Sequence, residues 1–110
     1  QHHIIALNVS EHVDTTLSLQ ERIDAINLQG GVAILAHPNL RCRGYRIRNL
    51  IAAENYLGIE IYNSFLQKCC RVATDKWDAA LTSGKRIWSF GVDDSHSESQ
   101  RGKGFFCLFA

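Results

Sequence analysis

The sequence predicts an α/β domain with parallel strands and helices packed against the sheet. Three observations predict it. Short apolar segments alternate with amphipathic segments of helical period, the pattern of strand–helix–strand units. The strand segments are near-continuous apolar runs, as in Val32-Ala-Ile-Leu-Ala36, which suits strands covered on both faces. The residues that carry chemistry, His37 and Asp94, stand just after strand segments. In parallel α/β proteins the carboxyl ends of strands carry the site.

Taken in order, His2-His3-Ile-Ile-Ala-Leu-Asn-Val9 opens on a first strand. Ser18 and Glu21 have capping-box spacing, and Leu19, Ile23 and Ile26 recur at helical period. Gly30 fits the stop of that helix. Val32 to Ala36 is the second strand, ended by His37-Pro38. Proline biases the preceding residue toward extended backbone and donates no ladder bond, so His37 falls at the strand rim. An arginine-rich loop (Arg41, Arg43, Arg46) leads to Ile47, Leu50 and Ile51, a short amphipathic helix. Ile59 to Tyr62 is the third strand. Ser64 to Arg71 reads as either loop or helical turn. Thr74 can cap a helix with apolar positions Trp77, Ala80 and Leu81, stopped by Gly84. Arg86 to Phe90 is the next strand, and Phe105 to Ala110 reads as a last one, about five in all.

The 110 residues bound the chain to one domain, 1–110. A hydrophobic share of 45% with 21% charged residues is ordinary for a globular chain. The net charge of +1 argues against a strongly basic nucleic-acid surface. No apolar run approaches membrane-spanning length, and no secretory leader is visible at the start. The four cysteines lack zinc-knuckle spacing and read as reduced, cytoplasmic thiols packed as small hydrophobes. Adjacent Cys69 and Cys70 are poorly placed to bridge each other.

The most informative motif is Gly91-Val-Asp-Asp-Ser-His96. Asp94 and His96 stand two residues apart after a strand segment, so both side chains can reach one pocket if the chain stays extended. A carboxylate beside an imidazole suits a borderline divalent ion. The same motif also fits an aspartate capping a turn beside a solvated histidine. Upstream, His37 follows a strand. Glu60 and Asn63 lie at or near the end of another, where Glu60 also fits a carboxylate bonded to backbone. His2 competes with His3 at the head of the first strand, and His3 is favoured because it abuts Ile-Ile-Ala-Leu. His12 belongs to no motif and reads as surface.

Four stretches, in this order, resemble the polymerase-and-histidinol-phosphatase (PHP) superfamily of metal-dependent phosphoesterases. They are His3-Ile-Ile-Ala-Leu, Gly-Gly-Val-Ala-Ile-Leu-Ala-His37-Pro, Ile-Glu60-Ile-Tyr-Asn63 and Gly-Val-Asp-Asp94-Ser-His96. Trp77-Asp-Ala-Ala-Leu-Thr-Ser-Gly84-Lys leads into the last. The resemblance implies a distorted seven-stranded TIM-like β/α barrel, of which this chain would be the central and C-terminal part. The family's N-terminal His-x-His ligands are not in it. The missing barrel portion would come from further chain or an oligomeric partner, and the isolated stretch is expected to be inactive.

The resemblance also implies two or three divalent ions (zinc, manganese or iron) held in part by His3, His37, Asp94 and His96. Glu60, Asn63 and Asp93 would orient ligands or substrate, with Asp93 arranging its loop. Arg41, Arg43 and Lys103 could hold phosphate, or form a solvated face. The implied activity is hydrolysis of a phosphomonoester or phosphodiester, on a small phosphorylated metabolite or a short nucleotide. Two other classes are open: a non-catalytic accessory domain of PHP type and, further off, an amidohydrolase-like metal hydrolase.

Overall fold

The computed structural model describes residues 2–108. Four strands form one mixed sheet in the order β1 (Ile4–Leu7), β2 (Val32–Leu35), β3 (Gly58–Asn63), β4 (Trp88–Val92). Between them run α1 (Leu19–Leu28), α2 (Ile47–Ala52) and α3 (Thr74–Thr82), and a short 3₁₀ turn, Glu98–Gln100, follows β4. The sheet is open, so the chain is an α/β domain and not a closed barrel. Among the described residues, no helix is long and apolar enough to cross a membrane.

The expectation of an all-parallel sheet is corrected at its first pair. β2–β3 and β3–β4 are parallel, but β1 runs antiparallel to β2, pairing Ile4 with Leu35 and Leu7 with Val32. Apolar composition cannot report strand direction, because both ladders accept the same residues. The expected strand from Phe105 is also absent over 105–108; 109–110 lie outside the described residues. That segment instead crosses β4 closely. A Cβ at Gly91 would lie 2.4 Å from the Phe105 carbonyl oxygen, and one at Gly104 would lie 1.9 Å from that of Val92. Only glycine permits both approaches.

The helices form as their local signals dictate. Glu21 N–H donates to Ser18 Oγ and Ser18 N–H donates to Glu21 Oε2, completing the capping box. Gly30 (φ 76°) and Gly84 (φ 95°) take the left-handed backbone that ends α1 and α3. Thr74, expected as a cap, lies inside the first turn of α3; Ala73 precedes it and offers no side-chain bond. Ile23 and Ile26 of α1, Leu50 of α2 and the strand residues Ala33, Leu35 and Ile59 form one core with Tyr45, Ala53 and Tyr56. Leu35 and Ile59 are paired neighbours across β2 and β3 and both are fully buried. Each such aliphatic side chain contributes on the order of 1.5–3 kcal/mol on burial. This core fixes the strand ends that carry the polar residues.

Candidate metal centre

Because β1 is antiparallel, its first residues lie beside the carboxyl ends of β2 and β3. The Ala36 N–H donates to the His3 carbonyl at 3.2 Å, extending the ladder past β2. His3 opens its strand and still reaches the rim where the other strands end. His3 Nδ1 stands 3.0 Å from His37 Nε2, across 34 residues of chain. The competing residue, His2, stacks on the Tyr45 ring at 4.4 Å. Tyr45 is buried and its hydroxyl donates to the His3 carbonyl, fixing the backbone of this corner.

Glu60, Asn63 and His37 form the buried floor. In a regular strand, residues three apart face opposite sides. The β3–β4 register shifts between Glu60 and Tyr62, so Ile61 has no partner in β4. Its carbonyl accepts from Ala73 instead. This bulge turns Asn63 to the side of Glu60, and Asn63 Nδ2 donates to Glu60 Oε2 at 3.2 Å. The same amide nitrogen donates to Asp94 Oδ2 at 3.1 Å. Glu60 Oε2 also accepts the His37 N–H at 2.7 Å. One carboxylate oxygen thus anchors the His37 turn and, through Asn63, the Asp94 carboxylate.

Backbone strain falls on the same residues. Among the described residues, the non-glycine positions with positive φ are Asn8, Asn55, His37 (33°) and Asp94 (48°). Asparagine accepts this conformation readily. His37 departs from the extended backbone expected before Pro38. Conformations of this kind cost on the order of 1–3 kcal/mol each and persist only where surroundings enforce them. For His37 the enforcing contact is the bond to Glu60.

Protonation follows from donor logic. Arg43 Nη1 lies 2.8 Å from His3 Nε2, and a guanidinium can only donate. His3 Nε2 therefore accepts, its proton sits on Nδ1, and that proton is donated to His37 Nε2. The His37 proton then sits on Nδ1, which is buried near its own backbone carbonyl but finds no partner in hydrogen-bond geometry. Burial holds His37 below the usual histidine range. Burial, then the neighbouring His37 and Arg43, hold His3 below it. Both rings are neutral at neutral pH, the form that binds metal. Burial pushes Glu60 upward, opposed by the bonds from His37 and Asn63.

The Asp94-Ser-His96 element is looser. Asp94 is half-buried and His96 is exposed, its ring stacked on Phe65 at 4.5 Å. His96 Nδ1 donates to the Asp94 carbonyl at 2.6 Å, which leaves Nε2 as the lone-pair nitrogen. Gln100 Oε1 accepts from the N–H groups of His96 and Ser97. Asp93 Oδ2 accepts the Gly102 N–H at 2.7 Å and ties down the same loop. Arg43 is at the centre through His3; Arg41 lies beside Cys70, and Lys103 is exposed on the loop past the 3₁₀ turn. Tyr45, Phe65 and Gln100 carried no warning as site supports. Only the Ser97-x-x-Gln100 spacing, a second capping box, was available to signal one of them.

Two nitrogens on one zinc-like ion, each at about 2.0–2.1 Å, stand roughly 2.9–3.4 Å apart. The His3–His37 separation of 3.0 Å falls in that range. In the structure that separation is the length of the N–H···N bond joining the two rings, so a shared ion would have to replace this bond. Among the described residues, no group of three or more His, Cys, Asp or Glu is gathered closely enough to hold a metal ion. Comparison with protein-family models, with curated proteins and with solved structures finds no match to this chain.

Proposed function

We propose that the chain forms part of a metal-dependent phosphoesterase centre of the PHP type, and that its open sheet is an arc of the larger barrel. The observation that carries this reading is the pair His3 Nδ1 and His37 Nε2, 3.0 Å apart at the rim that also holds Asp94. When bound, the ion supplies Lewis acidity toward a phosphoryl oxygen and toward water. His3 and His37 would hold it, with Asp94 as the carboxylate. Glu60 keeps the His37 turn in place, and Asn63 aims Asp94. The attacking group is water, since among the described residues no serine or cysteine stands at the rim in a nucleophile setting. Substrates of this reading are small phosphorylated metabolites or short nucleotides, in a cytoplasmic setting suited to free thiols.

Arg43 has two exclusive roles in this reading. It donates to His3 Nε2 in the structure described here. Ligation of His3 through Nε2 displaces Arg43 directly. Ligation through Nδ1 moves the ring proton to Nε2, where two donors would face each other. Either way a bound ion would release Arg43 from His3, and its guanidinium would be free to clamp a phosphate. The test is titration of the chain with Zn²⁺ or Mn²⁺ alone, with phosphate release from p-nitrophenyl phosphate and its bis ester measured on a form that carries the rest of the proposed barrel. Metal binding is expected to tighten by up to about tenfold in Arg43→Gln, which removes one charge-assisted bond to the ligand. No metal binding by a chain that keeps its fold overturns the reading.

A second reading, a non-catalytic PHP-like accessory domain, is favoured by His3, whose two ring nitrogens are already bonded to His37 and Arg43. It expects phosphate-ligand binding without metal-dependent turnover.

A further inference from the structure

The loop between β3 and α3 holds two adjacent thiols. Cys69 Sγ and Cys70 Sγ lie 3.3 Å apart, hydrogen-bonded to each other, Cys69 exposed and Cys70 buried. The loop is braced on both sides. Asn63 N–H donates to the Arg71 carbonyl at 3.0 Å, Cys70 N–H donates to the Gln67 carbonyl at 2.9 Å, and the Arg71 guanidinium donates twice to the Leu66 carbonyl. The bond to Cys69, then burial and the neighbouring Cys69 charge, push the Cys70 thiol above its ordinary range, opposed by the Arg41 backbone N–H and the Arg41 charge. The other thiols, Cys42 and Cys107, are exposed.

The separation selects what can join the two sulfurs. A direct disulfide normally needs Cα atoms about 4.4–6.8 Å apart. Neighbours in a chain sit about 3.8 Å apart, so closure would distort the backbone. A bridging atom removes that demand. At a bond length of about 2.3 Å, sulfurs 3.3 Å apart subtend roughly 90° at the bridging atom. Tetrahedral zinc spreads two thiolates to about 3.8 Å, and a linear two-coordinate ion to about 4.6 Å. A pyramidal centre with a lone pair, such as trivalent arsenic, holds its bonds near a right angle.

We propose that Cys69 and Cys70 form a vicinal dithiol site for trivalent arsenicals. Capture forms two As–S bonds and breaks the arsenic–oxygen double bond completely. The two thiol protons leave with that oxygen as one water, and no atom changes oxidation state. Cys69 meets the arsenical first because it is exposed, and Cys70 closes the ring. The site is distinct from the histidine rim and does not rest on the phosphoesterase reading.

The test uses phenylarsine oxide with the full chain, read by intact mass. The expected result is one adduct per chain that survives excess glutathione and is stripped by dithiothreitol. In Cys69→Ser, whose side chain is exposed, the adduct is expected to be lost to glutathione on the order of 10²-fold faster, as a two-point attachment becomes one-point. Cys42→Ser and Cys107→Ser are expected to keep it. Absence of a glutathione-resistant adduct in the unmodified chain overturns the assignment. So does its persistence in Cys69→Ser, or its loss in Cys42→Ser.

Discussion

On the β2–β3 side of the rim, His37, Glu60 and Asn63 are buried and bonded to one another, with His3 delivered to them by the β1 ladder. On the β4 side, Asp94 is half-buried and His96 is exposed. His96 is held by its own loop through the Asp94 carbonyl, Gln100 and the Phe65 ring. The first group is positioned by non-local pairing and burial. The second is positioned by contacts that water can replace. Precision at a metal site comes from the first kind of support, and access for a ligand from the second. Only Asn63, bonded to both Glu60 and Asp94, connects the two groups directly through a side chain in the hydrogen bonds described above.

Removing a donor from each side measures the contrast most sharply. His37→Ala is expected to weaken Zn²⁺ binding by more than about 10²-fold, beyond what loss of an outer-shell partner causes. His96→Ala is expected to weaken it by about tenfold or less. Calorimetric titration of both variants decides it, and equal losses would place both histidines in the same support class.

Stability gives the next largest separation. Glu60→Ala leaves the buried His37 N–H without its acceptor, at a cost of about 1–3 kcal/mol. Glu60→Gln keeps a carbonyl oxygen there and is expected to retain most of that stability. Urea unfolding of the two variants tests whether the carboxylate acts through hydrogen bonding.

The smallest expected effect is in pH. The folded state holds His37 and His3 below the ordinary histidine value of 6.5, so it binds fewer protons than the unfolded chain. Their contribution is present above pH 6.5 and is lost as pH falls from there through the lowered folded values. Glu60 acts with opposite sign, since its folded value is raised above 4.5. Its contribution is present below pH 4.5 and is lost as pH rises through the raised value. Urea midpoints between pH 8 and pH 5 are expected to fall with pH, and His37→Gln is expected to flatten that fall. An unchanged slope in His37→Gln would assign the dependence to other groups.

The cysteines show where composition misleads. They read as small hydrophobes of the interior, yet only Cys70 is buried, and Cys42, Cys69 and Cys107 face solvent. Residue preference is an average, and loop position decided these cases.

Local signals were legible in the chain itself. The Ser18–Glu21 capping box, the stops at Gly30 and Gly84, the apolar strand runs and the placing of His37 and Asp94 just past strands all follow from near neighbours in sequence. What the tertiary structure alone decided is relational. The antiparallel direction of β1 brought His3 to the rim, the bulge at Ile61 put Asn63 on the side of Glu60, and the bond to Glu60 held His37 at positive φ. Strand direction and register are properties of pairs of segments, fixed by hydrogen bonds between residues far apart in sequence. A periodicity read along one segment carries no information about its partner.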